Sequence, residues 1–214
     1  MPKEGTMRLT IIRHAKAVSL DTTGMAPADA YTADLARPLS DIGEKQAADR
    51  LANLGSKKYD LVLSSPALRC VRTAAVVASM SEGDVVTLSA LVPSSPGDNG
   101  VGDAIDAEFK KLGYAPLRAY RAESDAITKF GVEAAAAIME QIRDLPGDAE
   151  VLVTNHHPCV SAIALALISE DSPEVERVLA IVLGETEGFT LDVDAEGRAS
   201  LWTFVPDPGD HYPG

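Results

Sequence analysis

Three short runs of β-forming residues, Leu9–Ile12, Asp60–Leu63 and Glu150–Val153, are each followed by helix-type periodicity or by a long connection. Parallel strands need such crossovers, because a two-residue turn joins only antiparallel neighbours. The alternation predicts an α/β fold, a three-layer α/β/α sandwich around a mostly parallel central sheet. Asp84–Leu88 is a shorter candidate strand. Near the end, "GFTLDVDAEGRASLWTFV" alternates apolar and polar residues on both sides of "DAEG", which predicts a C-terminal antiparallel hairpin that finishes the sheet.

Caps and periodicity place the helices. Ser40 is suited to cap a helix whose apolar positions Ala47, Leu51 and Leu54 lie on one face and which stops at Gly55. Ser65 caps and Pro66 opens the next, which reaches about Met80, and Pro158 opens another. The alanine-rich stretch Glu123–Ile142 predicts one long helix, closed by Pro146-Gly147. With 214 residues and 46% apolar content the chain readily buries a core, and residues 1–214 read as a single domain. Met1–Thr6 and "PDPGDHYPG" read as loose ends.

Charge narrows the partners. With 32 acidic against 19 basic residues the formal net charge is −13, which repels nucleic acid and anionic lipid at long range. Neither is an expected partner, and any anion site must be local. Cys70 and Cys159 fall inside apolar helical patterns, where a free cysteine acts as a small core residue. No basic start leads into an apolar stretch, and the longest apolar run, Cys159–Ile168, is too short to span a bilayer. A soluble, cytoplasmic protein is the expectation.

The chemistry lies where these strands end. Arg13-His14, Ser64-Ser65 and Asn155-His156-His157 all fall at the carboxyl ends of the parallel-type strands, the edge where open α/β sheets bind ligands. Two of these ends are also helix entries, whose free N–H groups and dipoles attract anions. Arg69 follows in the first turn of a helix, an unfavourable place for a cation unless an anion lies beside it. A phosphate would supply one. His157 has only its adjacency to recommend it, and Lys16 suits solvent as well as a site.

"LTIIRHAKA", "RPLSDIGEKQA", "LVLSSPALRCVRTA" and "LVTNHHPCVSAIAL" resemble, in this order, the motifs of the histidine phosphatase superfamily, the phosphoglycerate-mutase-like group. The Arg-His-Ala-Lys form and "RPLS" are most similar to bacterial phosphohistidine phosphatases. The resemblance implies that His14 is the nucleophile, that Arg13 and Arg69 hold a phosphoryl group, and that His156 is the second pocket histidine. Arg37, in "RPLS", is implied as a further pocket arginine. Many members carry an acid after the third strand; here Asp98, Asp103, Asp106 and Glu108 stand in that region, and Asp98 best matches a Gly-Asp of the phosphohistidine group. Residues 93–125 exceed what the compact subgroup carries and suit a lid or substrate wall.

Phosphoryl transfer fits these residue types. Its charge spreads over three equatorial oxygens, which planar arginine forks hold better than lysine point charges. A neutral imidazole nitrogen attacks phosphorus and splits one displacement into two easier ones. No metal or other cofactor is implied, and no zinc or P-loop pattern is present in the sequence. The expected function is a phosphatase that forms and hydrolyses phosphohistidine on His14, acting on a phosphohistidine protein. A phosphatase of small phosphorylated metabolites, a phosphoglycerate-mutase-type isomerase and a noncatalytic phosphate-binding module are the alternatives.

Overall fold

Strand β1 (Met7–Arg13) is buried along nearly its whole length, as a strand covered by helices on both faces must be. It pairs in parallel with β4 (Glu150–Asn155), and β4 pairs in parallel with β2 (Leu61–Ser64). A short edge strand, β3 (Val86–Thr87), lies beside β2. On the other side of β1, β5 (Gly188–Val193) runs antiparallel and pairs with β6 (Ala199–Val205), giving the order β3-β2-β4-β1-β5-β6. The mixed, mostly parallel sheet with its C-terminal hairpin agrees with the sequence reading. The computed structural model describes residues 5–55, 57–93, 100–194 and 196–205.

Alternation along the strands divides the core in two. Leu9, Ile11, Val151 and Val153 pack with the apolar stripes of α6 (Ala126–Ile142) and α7 (Cys159–Leu167). Ile12, Val62 and Leu152 pack with α2 (Asp41–Asn53) and α3 (Leu68–Ala78). Two glycines permit close approaches that a side chain would block. A Cβ on Gly43 would lie 2.0 Å from the Lys16 carbonyl oxygen, and one on Gly131 would lie 2.6 Å from that of Ala162. The first seats α2 against the chain leaving β1; the second draws α6 onto α7.

Ser40 caps α2 as expected, its hydroxyl accepting from Gly43 N at 3.1 Å. Other boundaries move. Helix α3 begins at Leu68 with Ala67 at its cap, so Ser65 and Pro66 form the turn ahead of it rather than its first residues. The Ser65 hydroxyl accepts from Ala67 N at 3.4 Å, at the entry to α3, and also meets His156 Nε2 at 3.0 Å. Pro158 stands at the cap of α7, one residue before the helix. The expected long helix over Glu123–Ile142 is α6, which starts at Ala126; Glu123 instead ends α5 (Leu117–Glu123), and an extended Ser124, whose hydroxyl bonds Glu108 and accepts from Ala126 N, separates the two. Only two residues of Asp84–Leu88 are strand, and Glu82–Asp84 is a short 3₁₀ turn. Four helices lie outside the sequence expectation: α1 (Pro27–Leu35), α4 (Val101–Leu112), α5 and α8 (Val175–Ala180). Among the described residues no helix is long and apolar enough to cross a membrane.

Candidate active site

The carboxyl ends of β1, β2 and β4 lie side by side because β4 separates the other two, so Arg13, Ser64 and Asn155 end neighbouring strands. His14 and His156 follow directly, with their ring centroids 5.2 Å apart. The sheet alone brings together residues more than 140 positions apart in sequence.

His14 Nδ1 lies 2.7 Å from the carbonyl oxygen of Ala15, which only accepts, so the ring proton is on Nδ1. Nε2 therefore carries a lone pair, and Arg69 Nε donates to it at 3.2 Å. The backbone holding this ring is itself fixed: Ala15 N donates to Thr73 Oγ1 at 3.0 Å, and Thr73 Oγ1 donates to the Arg69 carbonyl at 2.6 Å. One hydroxyl thus ties the His14 segment to the helix that carries Arg69. Burial, with the guanidinium groups of Arg69 and Arg13 next in weight, holds the His14 pKa well below the ordinary imidazole value. The ring is neutral near pH 7.

His156 is the partner histidine. Arg69 Nη2 donates to its Nδ1 at 3.3 Å, which leaves the proton on Nε2, directed at Ser65 Oγ 3.0 Å away. Its pKa is likewise held far down, by burial first and then by Arg69. Asn155 Oδ1 accepts from His156 N at 2.8 Å and anchors the segment.

Arg13 is 5% exposed, donates through Nη1 to the Leu183 carbonyl at 2.7 Å and ion-pairs with Glu185 at 3.5 Å. The Tyr114 ring covers its guanidinium, 4.6 Å from Cζ to centroid. Its Nε is buried with no partner, as is Nε of Arg37. A buried N–H left unsatisfied costs about 1–3 kcal/mol, and two on arginines, one ending β1 and one in the connection between α1 and α2, point to an anion. Arg37 reaches the cluster through Asp34, ion-paired at 2.9 Å, and adds to the charge that lowers both histidine pKa values.

Of the residues expected from sequence, the sheet thus gathers Arg13, His14, Arg69, His156 and Arg37. Asp98 lies outside the described residues. Asp106 ion-pairs with Lys110 and Glu108 is bonded to Ser124, so both serve α4 and its neighbour. Lys16 takes part through its backbone, with N on Gln46 and O on Ser40, while its side chain is exposed. His157 faces another way: Nε2 donates to the Ala115 carbonyl at 2.8 Å, and burial then Arg13 lower its pKa to about 4. Both cysteines are free and buried, as expected, with burial pushing each thiol up to about 12. The sequence does not disclose Asp34, Thr73 or Tyr114, nor that Ser65 meets His156. Among the described residues no group of three His, Cys, Asp or Glu is placed to hold a metal ion.

Comparison with known proteins agrees with this geometry. No curated protein matches the chain in sequence. Among solved structures, mycobacterial glucosyl-3-phosphoglycerate phosphatase shares 17% identity at a TM-score of 0.62, covering 94% of this chain and 99% of its own. The protein histidine phosphatase SixA complexed with tungstate shares 18% at 0.58, covering 94% and 97%. Phosphoglycerate mutase from Bacillus anthracis shares 16% at 0.59, covering 96% and 95%. At these identities the likeness is one of fold. The family model for the histidine phosphatase superfamily (branch 1) matches residues 9–197, and the chain belongs to that superfamily.

Proposed function

We propose that the protein is a metal-independent phosphatase that transfers a phosphoryl group from its substrate to His14 Nε2 and then hydrolyses the phosphohistidine. Membership of the superfamily indicates a phosphatase. The observation that carries the mechanism is the His14 ring itself: neutral, with its proton held on Nδ1 by Ala15 and its lone pair on Nε2 beside Arg69. Arg13, Arg69 and Arg37 would hold the equatorial oxygens.

We further infer that the substrate is a phosphohistidine protein. Asp34 and Glu185, two carboxylates bonded to this cluster, both ion-pair with its arginines. An alkoxide leaving group needs a positioned acid, an effect worth roughly 10²–10⁴-fold. Imidazole does not need one when its other ring nitrogen already bears a proton. As the His14 Nε2–P bond forms, the P–N bond of the substrate breaks, its electron pair stays on nitrogen, and neutral imidazole departs. Water then attacks phosphorus, the P–Nε2 bond breaks, and its electrons return to Nε2. His14 leaves as the same Nδ1–H imidazole that Ala15 holds, and both protons of the water stay on dihydrogen phosphate.

His156 contributes differently. With Nε2–H directed at Ser65, its Nδ1 donates to a phosphoryl oxygen only after taking a proton, which the negative charge of the phosphoryl group favours. The cytoplasm is the proposed setting, which two free buried cysteines and a net charge of −13 suit. The α4–α5 segment, which places Tyr114 over Arg13, is the proposed substrate wall.

The test is brief incubation with a radiolabelled phosphohistidine protein, in the presence of chelator. Acid-labile, base-stable label on His14, absent from His14→Ala, is the expected result. Label on Ser64 or Ser65, or activity restored only by a divalent ion, would overturn the mechanism. Turnover of alkyl phosphates with none of phosphohistidine would overturn the substrate and keep His14.

A further inference from the structure

Arg69 has two hydrogen-bonding edges, and the structure uses them on different partners. Nε and Nη2, the side-on edge, point at His14 Nε2 and His156 Nδ1, at 3.2 and 3.3 Å. Nη1 and Nη2, the end-on edge, are held by a single residue, Asp34. Its carbonyl oxygen accepts from Nη1 at 2.5 Å and its Oδ2 from Nη2 at 2.8 Å. Because a guanidinium is planar and rigid, fixing one edge fixes the aim of the other. Oδ1 of the same carboxylate takes Arg37 Nη2 at 2.9 Å, so one side chain sets two arginines.

We propose that Asp34 is a positioning residue, which clamps the outer edge of Arg69 so that the inner edge faces the phosphoryl group between His14 and His156, and which draws Arg37 to the same rim. This rests on the phosphatase reading for the identity of the anion, while the clamp is a property of the cluster itself. Asp34 lies on α1, a helix that buries none of its own residues, so core packing does not account for where it sits. A carboxylate next to an anion site also works against binding, since like charges repel. An Asp here gains nothing for affinity; what it supplies is orientation. Its side chain is 40% exposed and that of Arg69 only 6%, so the repulsion is partly screened by solvent while the clamped arginine is held dry.

Orientation should appear in turnover more than in binding. Asp34→Ala is expected to lower kcat roughly tenfold to a hundredfold, with a smaller change in KM, as misaimed groups do. In an Arg69→Ala background the same substitution should cost severalfold less than it does alone, because only its hold on Arg37 remains. Asp34→Asn keeps the volume but offers an acceptor to only one of the two arginines, and should fall between; its melting curve controls for folding. A readout independent of turnover is heteronuclear NMR of the histidine ring nitrogens. Those of His14 and His156 should shift in Asp34→Asn, although no hydrogen bond joins Asp34 to either ring.

Unmoved ring resonances, or losses that multiply in the Asp34→Ala, Arg69→Ala double variant, would overturn the clamp while leaving a turning-over wild type as a phosphatase. Shifted resonances in a chain that hydrolyses no phosphoryl donor would instead overturn the phosphatase reading and leave the clamp standing.

Discussion

His156 and His157 are consecutive residues just past the end of β4, yet they belong to different regions of the molecule. His156 turns toward β2 and α3, where Ser65 and Arg69 take its two nitrogens. His157 turns toward the other helical layer, where Ala115 takes Nε2 and the rings of Tyr114 and Tyr120 lie 5.9 and 6.4 Å away. His157 is buried and His156 largely so, and both are held neutral by desolvation, so a shifted pKa does not separate the candidate site histidine from the packed one. The partners separate them. His156 shares Arg69 with His14, whereas His157 has a backbone carbonyl and aromatic neighbours.

The largest effect that tests this contrast is on turnover. His156→Ala is expected to lower kcat by roughly 10²–10³, the cost of losing one group that hydrogen-bonds the developing anion once it is protonated. Its melting temperature should change little by comparison. His157→Gln should change kcat less than about tenfold, acting only through Tyr114 and its hold on Arg13. Steady-state rates of both variants on one phosphohistidine substrate decide the matter. Equal losses would mean that the two strand-end histidines form one functional unit.

Next in size is the stability that His157 makes depend on pH. Its folded pKa of about 4 lies below the unfolded value near 6.5, so between these values the unfolded chain binds a proton that the folded chain lacks. Stability is therefore complete above about pH 6.5 and falls as pH drops toward 4. The shift corresponds to roughly 3 kcal/mol at most. His14 and His156 act in the same direction. Urea unfolding at pH 7 and pH 4.5 should show a smaller difference for His157→Gln than for the wild type. An unchanged difference would place the acid sensitivity elsewhere.

The contrast also shows what a sequence discloses. The floor of the site was legible because strand-end chemistry adjoins an apolar run: Arg13-His14 after "LTII" and Asn155-His156 after "VLVT" need only a parallel sheet to meet. Ser65 is legible in part: Ser-Pro signals the helix entry, where its hydroxyl accepts from Ala67 N, whereas its second partner, His156, lies 91 residues away. Helix α1 was invisible for a related reason. It buries none of its residues, so no apolar stripe marks it, and Asp34 went unnoticed with it. The later start of α6, at Ala126, depends on the Ser124 hydroxyl reaching Glu108, a tertiary contact that an alanine-rich helical pattern does not reveal.

A smaller effect sharpens the role of the arginine that His156 shares. Arg69→Lys keeps the charge but loses the fork whose edges serve His14, His156 and Asp34 at once. A loss of about tenfold or more in kcat/KM is expected, larger than charge conservation suggests. Titrating orthovanadate as an inhibitor against both forms checks it, since a lysine that served equally well would leave inhibition unchanged.

The smallest effect belongs to the His157 side. Tyr114 is 56% exposed, lies over the Arg13 guanidinium and meets Phe109 edge to face at 5.7 Å, which makes it the outermost group of that wall. With its ring exposed and its cation buried, this cation–π contact is worth about 1 kcal/mol, so Tyr114→Ala should raise KM by only a few-fold with kcat nearly unchanged. Tyr114→Phe keeps the ring face and should behave as the wild type. If the substrate is a protein, its surface must reach past this ring to present phosphohistidine to His14. The Tyr114→Ala change in KM should then be larger for a phosphohistidine protein than for a small phosphoramidate such as phosphoimidazole. Equal changes for the two would confine Tyr114 to holding Arg13 and remove it from substrate contact.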